Sequence, residues 1–254
     1  MSAGRALNAL AMDRGGGGGS VQPMVVRVVV PSRKAASAEL MDAAVLLDPD
    51  ASSDEVLKSL RRTAVLAKTP KFAQGGSKAA TPVVRAVLAI VRSRTGPSDE
   101  TMLLAVLETL AVLCKSVKGA AIIVRLEGGL PAVTSLIAAN IKRSSFQRHG
   151  FACLAALAAS PQNAIAIAKA GAVQTVLVVL NDKESKYFGA DSMEAAALGL
   201  QLLSALIRAT DATLPLLGTQ LMMQAVVNAI YARVGNKKVV TAATEVLVCG
   251  FTCF

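Results

Sequence analysis

An internal repeat is the sequence feature that most restricts how this chain folds. The segment GGLPAV, which begins at Gly128, returns as GAVQTV, which begins 43 residues later at Gly171. Each copy opens an apolar stretch of helical pattern, which a polar turn separates from a longer one. A period of about 40–47 residues with two or three helices per unit is typical of stacked helical repeats. In such an array, each unit buries its apolar face against its neighbours.

Beyond residue 35 the sequence is rich in Ala and Leu, and its apolar residues recur at three- and four-residue spacing. This pattern predicts helices with a wide apolar face. Three are especially clear: Leu103 to Cys114, Phe151 to Ala158 and Leu198 to Leu206. Short turns separate the predicted helices, at Pro49-Asp50, Gly75-Gly76, Thr95-Gly96-Pro97, Glu127-Gly128-Gly129, Ser160-Pro161 and Gly235-Asn236. We therefore predict an all-α body.

Residues 128–180 resemble an armadillo repeat followed by the opening of the next one. Gly171 matches the glycine at which the first and second helices meet, and Asn163 matches the polar residue that opens the short first helix. Pro131 matches the proline often found just inside the second helix, where its missing N–H has no helical partner to lose. The resemblance implies a right-handed α-solenoid of armadillo-type repeats, with a HEAT-type array as the alternative. The expected units are 37–80, 81–127, 128–170, 171–218 and an incomplete 219–254.

Residues 1–36 are expected to form a flexible leader ahead of a repeat array over 37–254. The run Gly15–Gly19 predicts a disordered tether, because glycine loses the most backbone entropy on ordering. Met24–Val30 is rich in β-branched residues and predicts a short strand. For Met1–Arg14, a disordered leader and an organellar transit peptide both stay open.

Composition argues against catalysis and against metal chemistry. The chain has a single His and four Cys, so multi-His metal centres are excluded and His149 is interpreted as a packing or surface residue. Cys249 and Cys253 are one helical turn apart, which is too few ligands for zinc, while Cys114 and Cys153 suit buried apolar faces. We predict no enzyme, no catalytic residue, no cofactor and no bound metal. No apolar core typical of a secretory signal is found, so we expect a reducing intracellular compartment, with the cytoplasm as the expected location and nuclear or organellar locations as alternatives.

The longest uncharged stretch, Ala212–Ala232, has the length of a membrane span. Pro215 and Gly218 interrupt it, so it is interpreted as a turn between two buried helices. No transmembrane segment is expected.

Charge placement points to partners. Lys and Arg number 27 against 17 Asp and Glu, for a net charge of +10. Basic residues recur at the turns between second and third helices, and stacking would align those turns along one side of the array. We call this set the basic edge: Arg92, Arg94, Lys142, Arg143, Lys183, Lys186, Arg233, Lys237 and Lys238. The alternative explanation is that Lys and Arg simply complement the dipoles of helix C-termini.

The resemblance also bears on the groove formed by the third helices. Armadillo proteins that grip extended peptides use a ladder of Asn flanked by Trp; the matching positions here hold Val112, Ala156 and Ala205, and the chain has no Trp. The groove is therefore expected to be apolar to neutral and better suited to a helix or a neighbouring domain. The apolar C-terminal residues 246–254 are expected to be covered by another chain or by further repeats.

These features predict a non-enzymatic scaffold that binds other proteins, expected to present acidic surfaces, through its groove and basic edge. A basic solenoid bound to RNA or to an organellar assembly is the alternative, with nucleic acid the less favoured partner.

Overall fold

A computed structural model describes residues 51–93, 99–181, 190–209 and 219–253. Within these ranges the chain forms eleven helices and no β-strand, as the periodicity predicted. The glycine tether and the strand predicted at Met24–Val30 lie outside the described residues. The helices are α1 Ser53–Leu66, α2 Pro70–Ser93, α3 Glu100–Ser116, α4 Ala120–Leu126, α5 Gly129–Ala139, α6 Ser144–Leu157, α7 Pro161–Lys169, α8 Ala172–Asn181, α9 Ala190–Ala209, α10 Thr219–Ala232 and α11 Lys237–Cys253.

The helices follow one another in a repeating order of short first, second and long third helix. Helix α2 contains two elements, since the part before Gly76 is a first helix and the part after it is a second helix. The other first helices are α4 and α7, and the other second helices are α5, α8 and α10. The third helices are α1, α3, α6, α9 and α11. Each third helix packs against the third helix of the next unit, and the second helices do the same. This neighbour-to-neighbour packing confirms the predicted armadillo-type α-solenoid.

Three glycines with positive φ mark turns between first and second helices. Gly128 and Gly171 have φ of 66° and 88°, a left-handed conformation in which a Cβ would be strained. The 43-residue sequence repeat therefore marks the same turn in two successive units. Gly76, with φ of 56°, holds the same place inside α2. The unit boundary expected between residues 80 and 81 falls within the second-helix part of α2, after the break at Gly76 that separates the first helix from the second.

A continuous apolar core runs through the stacked third helices. Leu110, Leu154 and Leu203 hold corresponding positions in α3, α6 and α9 and are at most 1% exposed. Burying one such side chain contributes about 1.5–3 kcal/mol. At Gly150 in α6, a Cβ would lie only 2.6 Å from Ile137 Cδ1 of α5, so this glycine lets the second and third helices approach closely.

A buried amide connects two units. Asn163, in the first turn of α7, is fully buried, and its Nδ2 donates to the carbonyl oxygens of Ala121 at 2.9 Å and Leu157 at 3.1 Å. Ala121 lies in α4, the first helix of the preceding unit. The polar residue matched to the family pattern thus ties successive first helices together.

Among the described helices, α9 alone combines the length and the apolar composition that a membrane span requires. Two bent pairs, α4 with α5 and α7 with α8, meet the same criteria when each pair is taken together. In α9, 61% of the most apolar window is buried, and the helix packs between α6 and α11. Its apolar character therefore serves the packing between units.

Candidate functional site

The described residues of the basic edge lie where second helices connect to third helices. Arg92 is in the last turn of α2, Lys142 and Arg143 join α5 to α6, and Lys237 and Lys238 open α11. All five side chains are exposed. Arg94, Lys183 and Lys186 lie outside the described residues.

Arg233 is the exception among the residues predicted for the basic edge. It is only 2% exposed, and its Nη1 lies 3.5 Å from the carbonyl oxygen of Leu180. Leu180 is next to the last residue of α8, and a cation at a helix C-terminus is favoured by the exposed carbonyls there. Arg233 thus packs α10 against the preceding second helix and does not contribute to the exposed edge.

Two arginines of the basic edge have defined partners. Arg143 Nη1 lies 3.0 Å from Glu100 Oε2, and Ser145 Oγ donates to the other oxygen of this carboxylate at 3.4 Å. Arg92 Nη2 donates to the backbone carbonyl of Glu127. The Arg143–Glu100 pair is 43% and 40% exposed, and exposed pairs of this kind contribute only about 0–1 kcal/mol. The pair therefore orients the Arg143 side chain but contributes too little energy to prevent it from binding another carboxylate.

A cavity of about 470 Å³ lies between α2, α3, α5 and α6 and includes both of these arginines. Its volume is in the range of roughly 300–1,000 Å³ that is usual for ligand sites. It opens between two successive units, so no single helix segment reveals it in the sequence. Its lining residues are Val91, Arg92, Glu100, Leu103, Ala132, Ser135, Leu136, Ala139, Asn140, Arg143 and Phe146.

The positions that match the Asn ladder on the third helices carry small or apolar side chains, as the resemblance implied. Val112 and Ala205 are half-buried, and Ala156 is 7% exposed. None of these side chains offers the amide that would hold an extended peptide backbone. This part of the third-helix face therefore lacks polar groups at its ladder positions.

Charges on the third helices are paired between units. Arg148 of α6 lies 3.3 Å from a carboxylate oxygen of Glu194 and 3.6 Å from one of Asp191, both in α9. Arg208 of α9 lies 3.4 Å from a carboxylate oxygen of Glu245 in α11. Two arginines thus face three carboxylates, so the positive charge of these arginines is offset on the third helices.

The cysteines do not form a reactive centre in the described part of the chain. Burial raises the pKa of the Cys114 thiol to about 12 and raises that of Cys153 well above its ordinary value, so both stay protonated at neutral pH. Arg208 Nε donates a hydrogen bond to Cys249 Sγ at 3.1 Å. His149 Nδ1 lies 2.9 Å from the carbonyl oxygen of Ser145 within the same helix. No group of three or more His, Cys, Asp or Glu able to hold a metal occurs among the described residues.

Several large apolar side chains are exposed on the last two helices. Leu221 and Tyr231 of α10 are 73% and 80% exposed, as is Val234 at 75% and Val248 of α11 at 57%. Val246, in contrast, is fully buried in the core. Among the described side chains near this end of the array, most of these exposed apolar residues belong to α10 and the turn after it.

Comparison with solved structures identifies the fold. A designed armadillo repeat protein matches 82% of this chain and 80% of its own length, with 13% identity and a TM-score of 0.64. An engineered protein from a structural genomics programme matches 82% of this chain and 47% of its own, with 17% identity and a TM-score of 0.65. A designed armadillo repeat protein in complex with the peptide (KR)4 matches 84% of this chain and all of its own, with 15% identity and a TM-score of 0.51. No family model and no curated protein matches the sequence.

The chain therefore has an armadillo-like repeat fold. At these identities the likeness concerns the fold alone.

Proposed function

We propose that this protein is a non-enzymatic scaffold that binds other proteins, with acidic surfaces as its preferred partners. The observation that carries the proposal is the cavity between two successive units, which combines two arginines of the basic edge with an apolar lining. An exposed cation beside an apolar recess gives a partner both charge attraction and buried contact area. The third-helix face, where arginines are paired with carboxylates, adds a second contact surface. The cytoplasm is the location we propose.

The armadillo fold supports a binding role, since one designed protein of this fold is solved with the peptide (KR)4. The surface of the present chain differs from what a basic peptide needs. Its edge is positive, and Val112, Ala156 and Ala205 provide no amide ladder. We therefore expect acidic partners and expect no binding of a basic peptide.

The chemistry of the described side chains supports a non-catalytic role. The raised pKa values of half-buried Cys114 and buried Cys153 keep both thiols protonated, and the protonated form is neither nucleophilic nor metal-binding. The Nδ1 atom of His149 lies 2.9 Å from the carbonyl oxygen of Ser145 in its own helix, which is a structural contact.

Affinity capture with a charge-reversed variant tests this function. The double variant Lys142→Glu/Arg143→Glu is compared with Lys58→Glu/Arg61→Glu, which makes the same charge change at exposed positions of α1. Partners of the wild-type chain, quantified by mass spectrometry, should be lost from the first variant and retained by the second. Equal recovery of every partner with both variants would contradict the proposal.

RNA binding is the second candidate, and the net charge of +10 is the observation that favours it. Backbone phosphates would be recognised through counterion release, so the affinity would fall steeply with salt. Fluorescence anisotropy with a labelled RNA oligonucleotide at low and moderate salt separates the two candidates. Tight binding at low salt with a steep loss at moderate salt favours RNA, whereas weak binding throughout favours the protein scaffold.

A further inference from the structure

We infer that the cavity between α2, α3, α5 and α6 is a docking site for a partner segment that presents a carboxylate next to an aliphatic side chain. This inference rests on the proposed function and specifies which part of the partner the basic edge recognises. The residues that carry it come from two successive units and meet only in the folded array.

The floor of the cavity is apolar. Val91, Leu103 and Phe146 form part of its lining and are themselves at most 6% exposed. Along α5, the lining residues Ala132, Ser135, Leu136 and Ala139 recur at three- and four-residue spacing, which places them on one face of that helix. From Ala132 to Ala139 this face is about 10 Å long, at about 1.5 Å of rise per residue. A recess of this composition excludes water from an aliphatic side chain but offers little to a fully polar ligand.

The charges around the cavity select an acidic neighbour for that aliphatic side chain. Glu100 already faces Arg143 and Ser145, so its charge is offset inside the site. Arg92 donates only one recorded hydrogen bond, to the Glu127 carbonyl oxygen, which carries no net charge. Of the two arginines that line the cavity, Arg143 is paired with a carboxylate and Arg92 is not. The planar guanidinium of Arg92 suits a carboxylate.

The same arrangement disfavours a nucleic-acid strand. Glu100 would repel successive phosphates, and the only aromatic residue in the lining, Phe146, is 1% exposed and unable to stack on a base. The cavity therefore fits an acidic and apolar peptide segment better than an RNA backbone.

Fluorescence anisotropy with labelled synthetic peptides tests the site on the full chain. The probe is a short peptide of alternating Glu and Leu, and the comparison probes are alternating Lys and Leu, alternating Glu and Ser, and a single-stranded RNA. We expect the Glu–Leu peptide to bind more tightly than all three. Equal or tighter binding of any comparison probe would overturn the inference.

Two variants locate the binding. Arg92→Met removes the charge but keeps an unbranched apolar stem, and Ala139→Trp fills the mouth of the cavity from an exposed position. Each variant should lower the affinity for the Glu–Leu peptide about tenfold or more. Arg92→Met loses the charged hydrogen bond, and Ala139→Trp loses the apolar recess. Lys237→Glu/Lys238→Glu, on the same edge but outside the cavity, should change the affinity less. Thermal unfolding followed by circular dichroism confirms that all variants are folded, and undiminished binding to Ala139→Trp would show that the cavity is not the site.

This test and the affinity capture fail in different ways. If the Glu–Leu peptide does not bind while captured partners still depend on Lys142 and Arg143, only the cavity inference is wrong. If the peptide binds in the cavity but no captured partner depends on those residues, the cavity inference stands and the proposed function is wrong.

Discussion

Asn163 Nδ2 lies 2.9 Å from the backbone carbonyl oxygen of Ala121, a residue in the corresponding first helix one unit earlier in the chain. The same nitrogen lies 3.1 Å from the carbonyl oxygen of Leu157, at the end of the intervening third helix. One buried amide therefore satisfies carbonyl groups in two helices that surround its own. Because each unit is stabilised mainly by its neighbours, such a contact affects the array beyond its own helix.

Replacing Asn163 with Ala should lower the free energy of unfolding by about 1–3 kcal/mol, because two buried carbonyl oxygens would lose their donor. Urea unfolding followed by circular dichroism measures this change. Gln162→Ala, at the exposed position next to it, is the matched control and should have little effect. Equal stability of the two variants would mean that Asn163 does not connect the units.

Gly150→Ala should be destabilising by about 1–3 kcal/mol, since a new methyl group would overlap the side chain of Ile137 in a packed core. In an ordinary helix the same replacement is favourable by up to about 1 kcal/mol. Gly250→Ala in α11 supplies the control, because its Cβ would meet the flexible side chain of Met223 at ordinary contact distances, 3.6 Å from Sδ and 3.9 Å from Cε. The thermal unfolding midpoint of Gly150→Ala should therefore fall below that of the wild type, and that of Gly250→Ala should stay the same or rise. A stabilised Gly150→Ala variant would show that α5 and α6 are less closely packed than described.

The contrast between these positions shows what the sequence could and could not predict. The turn glycines Gly128 and Gly171 were found because the positive φ they provide is used at the same place in two successive units, and this leaves a visible repeat. The role of Gly150 depends on Ile137, a residue of another helix. The local sequence therefore indicates only that a glycine lowers the helix propensity of α6 at this position.

Some features of the candidate site could likewise be predicted from the sequence, and others could not. The positions of Lys142 and Arg143 between a second and a third helix followed from helix order alone. The burial of Arg233 did not, because its partner Leu180 lies 53 residues earlier in the chain. The cavity was also missed, since its lining comes from four helices of two units, and no continuous segment contains the pattern.

Stability should fall as the pH rises above about 9, because burial raises the pKa of two thiols from the ordinary value of 9.0. Below that pH, both folded and unfolded chains keep these protons. Above it the unfolded chain releases them, while folded Cys114 holds its proton up to about pH 12, so the folded state binds more protons and loses stability with rising pH.

The free energy of unfolding, measured with urea, should therefore be about 1–3 kcal/mol lower at about pH 10.5 than at about pH 8. The variant Cys114→Ala/Cys153→Ala is less stable at pH 8, but its loss between the two pH values should be smaller than that of the wild type. An identical loss in both proteins would assign the pH dependence to other groups, such as lysines.

The most direct test of the scaffold account is hydrogen–deuterium exchange measured by mass spectrometry, on the free protein and on its complex with a partner recovered by affinity capture. The account predicts slower exchange in the bound state along α5, at the turn that carries Lys142 and Arg143, and at the start of α6. Exchange in the first helices α4 and α7 should change much less. Protection confined to α4 and α7, with no change around Arg143, would contradict it.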